Sequence, residues 1–304
     1  MTKEQWAADL AQSVNPANIK LDESLQQYTM TKLGGKADVF VLVETDEEAT
    51  TVIRYAHKNN IPLLMLGNGS NMVVRDGGHR GIVVTFSFLD EIRINGDHVY
   101  AQSGTLIKDV SKLAAAASLT GFEFACGIPG SVGGAMAMNA GAYGGEIKDI
   151  IISSKVLTKE GEILILSKED LELSYRQSSI AKKGYYVLSS EFQLEKGVQE
   201  EIDAKIADLT FQRESKQPLE YPSAGSVFKR PPGHFAGKLI QDSGLQGKGV
   251  GDAEVSTKHA GFIVNKGNAT ATDYIATIQM VQRVVKEKFG IDLETEVKIV
   301  GDEL

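Results

Sequence analysis

Two glycine-rich segments of the sequence have the composition of a phosphate-binding site. The first, GIPGSVGGAMAMNAGAYGGE, runs from Gly127 to Glu146 with seven glycines in 20 residues, and the second, GNGSN, occupies residues 67–71. Glycine lets consecutive main-chain N–H groups point inward, and such nests bind pyrophosphate oxygens without cationic side chains. Ser70, Asn71 and Asn139 add side-chain donors. We therefore expect the two segments to clamp an extended dinucleotide between two small subdomains.

Other chemistries match these segments less well. Glycines also serve tight turns and close packing, and this is the main alternative for both segments. GNGSN lacks the third glycine of G-x-G-x-x-G, which argues against a Rossmann site, and no P-loop ending in Lys-Ser or Lys-Thr is present, which argues against a nucleoside triphosphatase. Cys126 is the one cysteine, so an internal disulfide and a cysteine-based zinc site are excluded, and we expect no metal.

The overall composition indicates a globular protein with two or three subdomains. The chain has 304 residues, of which 42% are hydrophobic and 24% charged, and a formal net charge of −8. An acidic chain lacks the broad basic surface that nucleic acid or an anionic membrane needs. The N-terminus lacks the basic start and apolar core of a secretory signal, and the apolar runs are far shorter than the roughly 20 residues of a spanning helix. We expect a cytoplasmic monomer with no membrane or nucleic-acid partner.

Hydrophobic periodicity predicts mixed helices and strands. Thr45 and Glu48 have the spacing of a capping box, and Asn95-Gly96 and Glu160-Gly161 are hairpin signals. Helices are predicted at 45–60, 107–120, 198–216 and 271–289, and strands at 61–66, 185–194 and 291–300, besides the two hairpins. The Pro-containing segment after residue 216 ends the third helix, and we place a domain boundary near residue 205.

Seven ordered motifs resemble those of one enzyme family. The motifs, in chain order, are LGNGSN, GIPGSVGGA, MNAGAYGGE, SYRQSS, SAGSVFKRP, KHAGFIVN and LETEVKIVG, and the match covers nearly the whole chain from about Thr29 onward. In this order they resemble the UDP-N-acetylenolpyruvoylglucosamine reductase (MurB) family. The segment Ser174–Gln177 runs into the next strand with little room for an extra substrate-covering loop, as in the shorter, type II form.

The resemblance implies an α+β fold, with an FAD-binding fold of the vanillyl-alcohol oxidase (PCMH) type in two subdomains and a third, α/β substrate-binding subdomain. The subdomains are expected at 1–90, 91–205 and 206–290, with the C-terminal strand in 291–304 returning to the second.

The resemblance also implies a reaction. The family uses NADPH and FAD to reduce the enolpyruvyl group of UDP-N-acetylglucosamine enolpyruvate to UDP-N-acetylmuramate in peptidoglycan precursor synthesis, and thus in cell wall biogenesis, cell shape and cell division. None of the five histidines lies in a pattern of covalent flavin attachment, so we expect non-covalent FAD.

Three catalytic residues follow from motif positions. Arg176 is expected to bind the substrate carboxylate, because its planar fork of donors fits two oxygens. Ser226 is expected to donate the proton, which requires a neighbouring cation or relay to stabilise the alkoxide. Glu296 is expected to polarise the carboxylate together with Arg176. Without the resemblance, Ser226 is a serine in a glycine-rich turn and Glu296 lies on a solvated strand face.

The predicted binding residues come from the two glycine-rich segments and from the resemblance. Arg213 is implied by the resemblance, with a solvated helix charge as the alternative, and His259 either orients the site or is structural. The predicted cofactor contacts are Gly67, Asn68, Gly69, Ser70, Asn71, Gly127, Ile128, Pro129, Gly130, Ser131, Gly134, Ala135, Asn139, Ala140, Gly141 and Arg213. The predicted substrate contacts are Tyr175, Lys216, Lys229 and Asn265.

Some residues depart from the family pattern, and rival functions stay open. Thr295 and Lys298 replace a proline and an arginine, and Arg230 stands where some relatives place an asparagine that contacts uridine. One rival is a flavin-dependent oxidase or dehydrogenase of another small alcohol, which has no reason to keep Ser226 and Glu296. Another is a nucleotide-sugar or flavin sensor without turnover.

Overall fold

The computed structural model describes residues 1–304, which form two compact units. Unit 1 comprises Met1–Asp22, Asp38–Asn68 and Gly81–Arg213, and unit 2 comprises Glu23–Ala37, Gly69–Arg80 and Glu214–Leu304. The three consecutive subdomains expected from the sequence stay a prediction, because unit 1 holds most of both proposed FAD-binding subdomains without dividing them.

The long helices begin and end at local signals in the sequence. Thr45 caps the second helix by accepting a hydrogen bond from the Glu48 amide, and Thr270 and Asp273 form a capping box on the last, which stops at Gly290 with φ of +71°. The helices are α1 (Lys3–Leu10), α2 (Asp46–Lys58), α3 (Ile107–Ala116), α4 (Val132–Ala137), α5 (Ile147–Ile150), α6 (Ser179–Lys183), α7 (Gln199–Lys216), α8 (Ala236–Asp242) and α9 (Ala271–Phe289). No helix combines the length and the apolar character that crossing a bilayer requires.

Most strands are short. They are β1 (Ile19–Ser24), β2 (Lys36–Leu42), β3 (Leu63–Met65), β4 (Met72–Val74), β5 (His79–Thr85), β6 (Ile92–Asn95), β7 (His98–Gln102), β8 (Leu119–Thr120), β9 (Gly141–Ala142), β10 (Gly145–Glu146), β11 (Ile151–Leu157), β12 (Ile163–Ser167), β13 (Tyr186–Gln193), β14 (Glu195–Lys196), β15 (Ser223–Ser226), β16 (Gly249–Val250), β17 (Ala253–Val255), β18 (Phe262–Asn265) and β19 (Lys298–Val300). Both predicted hairpins, β6–β7 and β11–β12, are confirmed as antiparallel pairs.

Unit 1 contains a five-stranded antiparallel sheet and most of a four-stranded sheet. The five-stranded sheet has the order β12-β11-β13-β7-β6, and helices α3 and α4 bury Val110 and Val132 in its core. The four-stranded sheet has the order β1-β2-β5-β3, and α2 buries Val52 and Ile53 against it. Because α4 belongs to the glycine-rich stretch, its packing in this core anchors part of that stretch to the five-stranded sheet.

Unit 2 is a second core built on α9. This helix packs on the four-stranded sheet β15-β18-β17-β16, and its fully buried Tyr274 donates a hydrogen bond to the Ile263 carbonyl at 2.9 Å. The tail differs from the expectation that 291–304 returns to residues 91–205. Strand β19 instead pairs in parallel with β4 of unit 2, because Ile299 joins the α9 core.

Two further elements differ from the sequence-based prediction. Helix α3 ends at Ala116, because Ser118 adopts a positive φ of 53° and residues 119–120 form β8, which pairs with β14. Helix α4 was not predicted, since glycine disfavours helix interiors and two of its six residues are glycines.

Candidate cofactor and catalytic site

The glycine-rich stretch begins as a loop held by the turn that precedes α3. Ile107 donates its amide hydrogen to the Gly130 carbonyl at 3.0 Å, and Val132 and Gly133 donate theirs to the carbonyls of Thr105 and Ser103. Ser131 then caps α4, and its hydroxyl accepts from the Gly134 amide at 3.4 Å. The loop backbone is thus fixed by hydrogen bonds on one side.

Other amides of the same loop have no acceptor within the chain. The N–H groups of Gly127, Gly130 and Ser131 donate to no protein atom, whereas their neighbours all do except Pro129, which has no N–H. The Thr105 hydroxyl is also buried without a partner, and no sequence signal singled it out. Open donors on a fixed backbone are what an anion needs, so this loop fits a diphosphate.

The GNGSN segment meets this loop within unit 1. The Asn68 side-chain amide donates to the Pro129 carbonyl at 2.5 Å, and a Cβ placed on Gly67 would lie 2.9 Å from the Ser131 hydroxyl oxygen. The rest of the segment belongs to unit 2. There Gly69 has a positive φ of 59°, and a Cβ would lie 2.2 Å from the Tyr28 carbonyl oxygen, so only glycine fits.

Arg213, on α7, places a cation beside the loop. A Cβ on Gly127 would lie 2.6 Å from Cδ and 3.2 Å from Nε of Arg213, so the absence of that Cβ makes room for the arginine. Burial lowers the pKa of Arg213, and no carboxylate or carbonyl of the chain accepts a hydrogen bond from it. A partly buried guanidinium without an acceptor, next to open amides, fits an anionic cofactor.

Tyr175 and Arg176 form the tip of a tight turn in unit 1. Ser174 and Gln177 exchange backbone hydrogen bonds of 3.2 and 3.0 Å across it. Arg176 has a φ of +56°, a conformation that costs a non-glycine residue about 1 kcal/mol. Its guanidinium donates to the Gly141 carbonyl at 3.4 Å and lies 5.2 Å from the Tyr175 ring centroid. Backbone strain of this kind concentrates at functional sites.

The side chain of Asn139, a predicted cofactor donor, is already engaged within the chain, and its contact with the cofactor stays a prediction. Asn139 is fully buried, and its amide nitrogen donates to the Glu146 carboxylate at 2.5 Å and to the Ser174 carbonyl at 3.1 Å. Its oxygen accepts from the Lys148 amide at 2.9 Å. Because these contacts occupy both amide hydrogens, Asn139 ties the glycine-rich stretch to the turn that carries Arg176.

In unit 2, Ser226 and Glu296 lie on two segments that are hydrogen-bonded to each other. Ser226 is the last residue of β15 and pairs with Phe262. It is exposed, and its hydroxyl has no hydrogen-bond partner within the chain. The Glu296 amide donates to the Val227 carbonyl at 2.8 Å, and the Asn71 side chain donates to the Glu296 carbonyl at 3.2 Å. Asn71, a predicted cofactor donor, therefore also fixes the backbone of the proposed acid.

Thr295 leaves this pairing intact. The bridge between Phe228 and Thr295 is made by the flanking residues, with the Lys229 amide donating to Glu294 and the Glu296 amide to Val227. The Thr295 N–H does not contribute to it, so the proline of the family pattern and the threonine of this chain suit the same ladder.

The predicted substrate residues differ in how far they are already engaged. Lys216 is the exposed last residue of α7. Lys229 forms an ion pair with Glu294, which leaves ammonium protons for a phosphate. Asn265 is buried, donates to the Thr31 carbonyl at 3.1 Å and accepts from the amides of Gly267 and Ala269, and its contact with substrate stays a prediction. It holds the loop after β18.

The contacts of His259 favour a structural role, one of the two alternatives left open by the sequence. Its Nδ1 accepts from the Gly261 amide at 3.1 Å, and its ring meets Phe262 edge-on with centroids 4.8 Å apart. Burial lowers the pKa of His259, which favours the neutral ring that this hydrogen bond needs. No cluster of three or more His, Cys, Asp or Glu side chains is placed to hold a metal ion.

Comparison with known proteins shows the family to which this chain belongs. Residues 37–167 match the FAD binding domain family, and residues 217–300 match the C-terminal domain of UDP-N-acetylenolpyruvoylglucosamine reductase. The reductase of that name from Geobacillus kaustophilus (strain HTA426) is 59% identical over 300 residues, which cover 99% of each chain. The chain belongs to the UDP-N-acetylenolpyruvoylglucosamine reductase family. It is an FAD-dependent oxidoreductase, as the motifs led us to expect.

Solved structures agree with this assignment. The UDP-N-acetylenolpyruvylglucosamine reductase of Thermus caldophilus is 35% identical with a TM-score of 0.79, over 92% of this chain and 97% of that one. A glucose dehydrogenase, Phl p 4.0202, is 14% identical with a TM-score of 0.52, over 64% of this chain and 44% of that one, and shows the fold alone. The predicted fold class, an α+β protein with the PCMH-type FAD-binding fold, is confirmed for this reductase family member.

Proposed function

We propose that the protein reduces the enolpyruvyl group of UDP-N-acetylglucosamine enolpyruvate to UDP-N-acetylmuramate, with NADPH as the hydride donor. The observation that carries the proposal is the 59% identity to a UDP-N-acetylenolpyruvoylglucosamine reductase along 99% of both chains. The exposed and unpartnered Ser226 hydroxyl, on the segment next to Glu296, supports it chemically. The reaction would serve peptidoglycan precursor synthesis in the cytoplasm.

The cofactor contacts follow from the open donors of unit 1. We assign the FAD diphosphate to the amides of Gly127, Gly130 and Ser131, with Arg213 supplying positive charge beside them. These groups would hold FAD, which would supply the hydride-transfer chemistry between NADPH and the enolpyruvyl group. Unlike the predicted side-chain contact of Asn139, these assignments use groups that the fold leaves without partners.

Arg176 and Glu296 are assigned to the substrate carboxylate. The Arg176 guanidinium can donate two parallel hydrogen bonds to its oxygens and stabilise the negative charge that grows as the double bond is reduced. The backbone of Arg176 has a positive φ of 56°, a strained conformation of the kind that concentrates at functional sites, and this supports the assignment. Glu296, when protonated, donates a further hydrogen bond to the same carboxylate and increases that stabilisation.

We assign the role of proton donor to Ser226. Its hydroxyl transfers a proton to the carbon next to the one that receives hydride, and the resulting alkoxide needs a nearby cation or a hydrogen-bond relay. For the nucleotide part, we assign Lys216 and Lys229 to the diphosphate and Tyr175 to packing against sugar or cofactor. Lys is suited to phosphate as a point charge.

The assignment of Ser226 is tested by separating the two half-reactions. In anaerobic stopped-flow experiments, Ser226→Ala should keep the wild-type rate of flavin bleaching by NADPH. Its reoxidation by UDP-N-acetylglucosamine enolpyruvate should slow by about 10² to 10⁴-fold, the usual contribution of a general acid. Ser223→Ala, on the same strand, is the matched control and should behave like wild type. Wild-type reoxidation in Ser226→Ala would remove this serine from the mechanism.

A further inference from the structure

The outer edge of the five-stranded sheet in unit 1 carries three consecutive exposed apolar side chains. β12 is the terminal strand of that sheet, and Ile163, Leu164 and Ile165 are 48%, 36% and 75% exposed. Leu166, the next residue, is buried in the core with its neighbours on β11. An uncovered apolar edge strand is a template for pairing with another strand.

The other edge of the same sheet is protected in the usual way. On β6, half-buried Ile92 and Ile94 alternate with exposed Arg93 and Asn95, and the Arg93 guanidinium lies over the Tyr100 ring at 4.1 Å. Charged side chains on an edge oppose pairing with another chain. β12 has no charge between Glu162 and Lys168. The two edges of one sheet are therefore built differently.

Few backbone groups of β12 are open at this edge. The Thr158 amide donates to the Glu162 carbonyl at 2.8 Å, and by the antiparallel alternation Leu164 bonds to β11 while Ile163 and Ile165 point their N–H and C=O groups outward. Beyond them the edge is closed. Ser167 donates to the Asp170 carboxylate and accepts from the Leu171 amide. At the other end, Arg54 donates to the Gly161 carbonyl.

We propose that a second copy of this chain pairs with this edge, β12 against β12 in antiparallel orientation about a two-fold axis at Leu164. In this register, two residues face each other across the pair when their numbers sum to 328. Ile163 of each copy therefore faces Ile165 of the other. The open N–H and C=O groups of both isoleucines are satisfied by four hydrogen bonds.

Neighbouring registers satisfy fewer groups. An axis at Ile163 places Ile165 opposite Gly161, whose carbonyl already bonds to Arg54. An axis at Ile165 places Ile163 opposite Ser167, whose N–H and C=O are both occupied. An axis between two residues pairs an outward-facing residue with an inward-facing one. Only the axis at Leu164 matches all the open groups.

No charged residue lies between Glu162 and Lys168, so no like charges face each other along the apolar stretch of the paired strands. The contact is small compared with stable dimer interfaces of about 1,200–2,000 Å², so the association depends on protein concentration.

Sedimentation velocity of the full chain tests this proposal. The wild-type protein should shift from monomer toward dimer as its concentration rises to about 200 μM, a range suited to weak contacts. Ile165→Lys should stay monomeric throughout, because it adds a charge at the edge. Leu113→Lys changes a 45% exposed leucine on α3 and should associate like wild type. A wild-type protein that stays monomeric, as first expected from the sequence, would overturn the proposal, as would Ile165→Lys that associates like wild type.

A cross-linking variant tests the register. Leu164 faces its own copy in a non-hydrogen-bonded pair, where Cα atoms lie about 4.5 Å apart, within the range of a disulfide. Oxidised Leu164→Cys should form a covalent dimer, while wild type, with Cys126 alone, and Leu113→Cys should not. Equal cross-linking of Leu164→Cys and Leu113→Cys would refute the two-fold pairing.

Discussion

Removal of the Asn139 side chain should destabilise unit 1 more than removal of an exposed asparagine. Asn139→Ala deletes one hydrogen bond to the Glu146 carboxylate and two to the neutral backbone of Ser174 and Lys148. Bonds between neutral groups contribute about 1 kcal/mol each and those to charged groups about 1.5–3, so the loss is about 4 kcal/mol. Alanine also tolerates the φ of +45° less well than asparagine, which adds about 1 kcal/mol.

Urea unfolding followed by tryptophan fluorescence measures this loss. Trp6 is the one tryptophan and lies in unit 1, so its emission reports on the unit that contains Asn139. The control is Asn68→Ala, an exposed residue with one hydrogen bond to the Pro129 carbonyl, for which we expect a loss of about 1 kcal/mol. If the two variants lose the same free energy of unfolding, Asn139 does not hold the glycine-rich stretch.

Asn139→Asp separates the donors from the acceptor. The variant keeps an oxygen for the Lys148 amide but places a carboxylate against Glu146 and the Ser174 carbonyl. Burial and the like charge raise the pKa of the new carboxyl in the folded protein. A raised folded pKa means that its contribution is present below the unfolded value and lost as pH rises. The variant should therefore be less destabilised near pH 4 than at pH 7, and a pH-independent deficit would contradict this reasoning.

Three further predictions follow from other contacts. Gly127→Ala should weaken FAD binding about tenfold, or 1.4 kcal/mol, in a fluorescence titration, because the new Cβ would lie 2.6 Å from Cδ of Arg213. Arg176→Lys keeps the charge but loses the planar fork, so kcat/KM for the enolpyruvyl substrate should fall about 100-fold while flavin reduction by NADPH is unchanged; equal losses in both would contradict its role. Asp76→Ala should cost about 2 kcal/mol at pH 7, because Asp76 accepts the amides of Ala271 and Thr272 at the start of α9. Burial alone would raise the pKa of Asp76, but hydrogen bonds from the Thr272 hydroxyl and from these two amides outweigh burial and leave the pKa below 3.8. The difference in free energy of unfolding between wild type and variant, measured in urea, should therefore persist above pH 3.8 and shrink below it.

Local signals in the sequence were enough to predict the long elements. The apolar stripe of α9 and its caps are contained in one segment, as is the capping residue of α2. The hairpins depend on turns between adjacent strands, which also makes them local. The open amides of the glycine-rich stretch are local in the same way, because they follow from glycine and from a turn, while phosphate binding there stays a prediction.

Features that depend on distant residues could not be predicted from pattern alone. Asn139 and Asn265 have the donors of binding residues, and only the fold shows that their partners are other parts of the chain. The tail alternates like a strand, but its pairing with β4 is decided by the α9 core that Ile299 joins. The contact between Gly127 and Arg213 likewise joins two distant segments.

An anaerobic visible spectrum of the purified protein tests the central claim most directly. The flavin should bleach when NADPH is added and regain its oxidised spectrum when UDP-N-acetylglucosamine enolpyruvate follows. A flavin that bleaches but stays reduced would contradict the proposed substrate and favour a different flavin-dependent oxidoreductase. A protein that stays colourless after reconstitution with FAD would contradict the assignment of the glycine-rich loop and Arg213 to the cofactor.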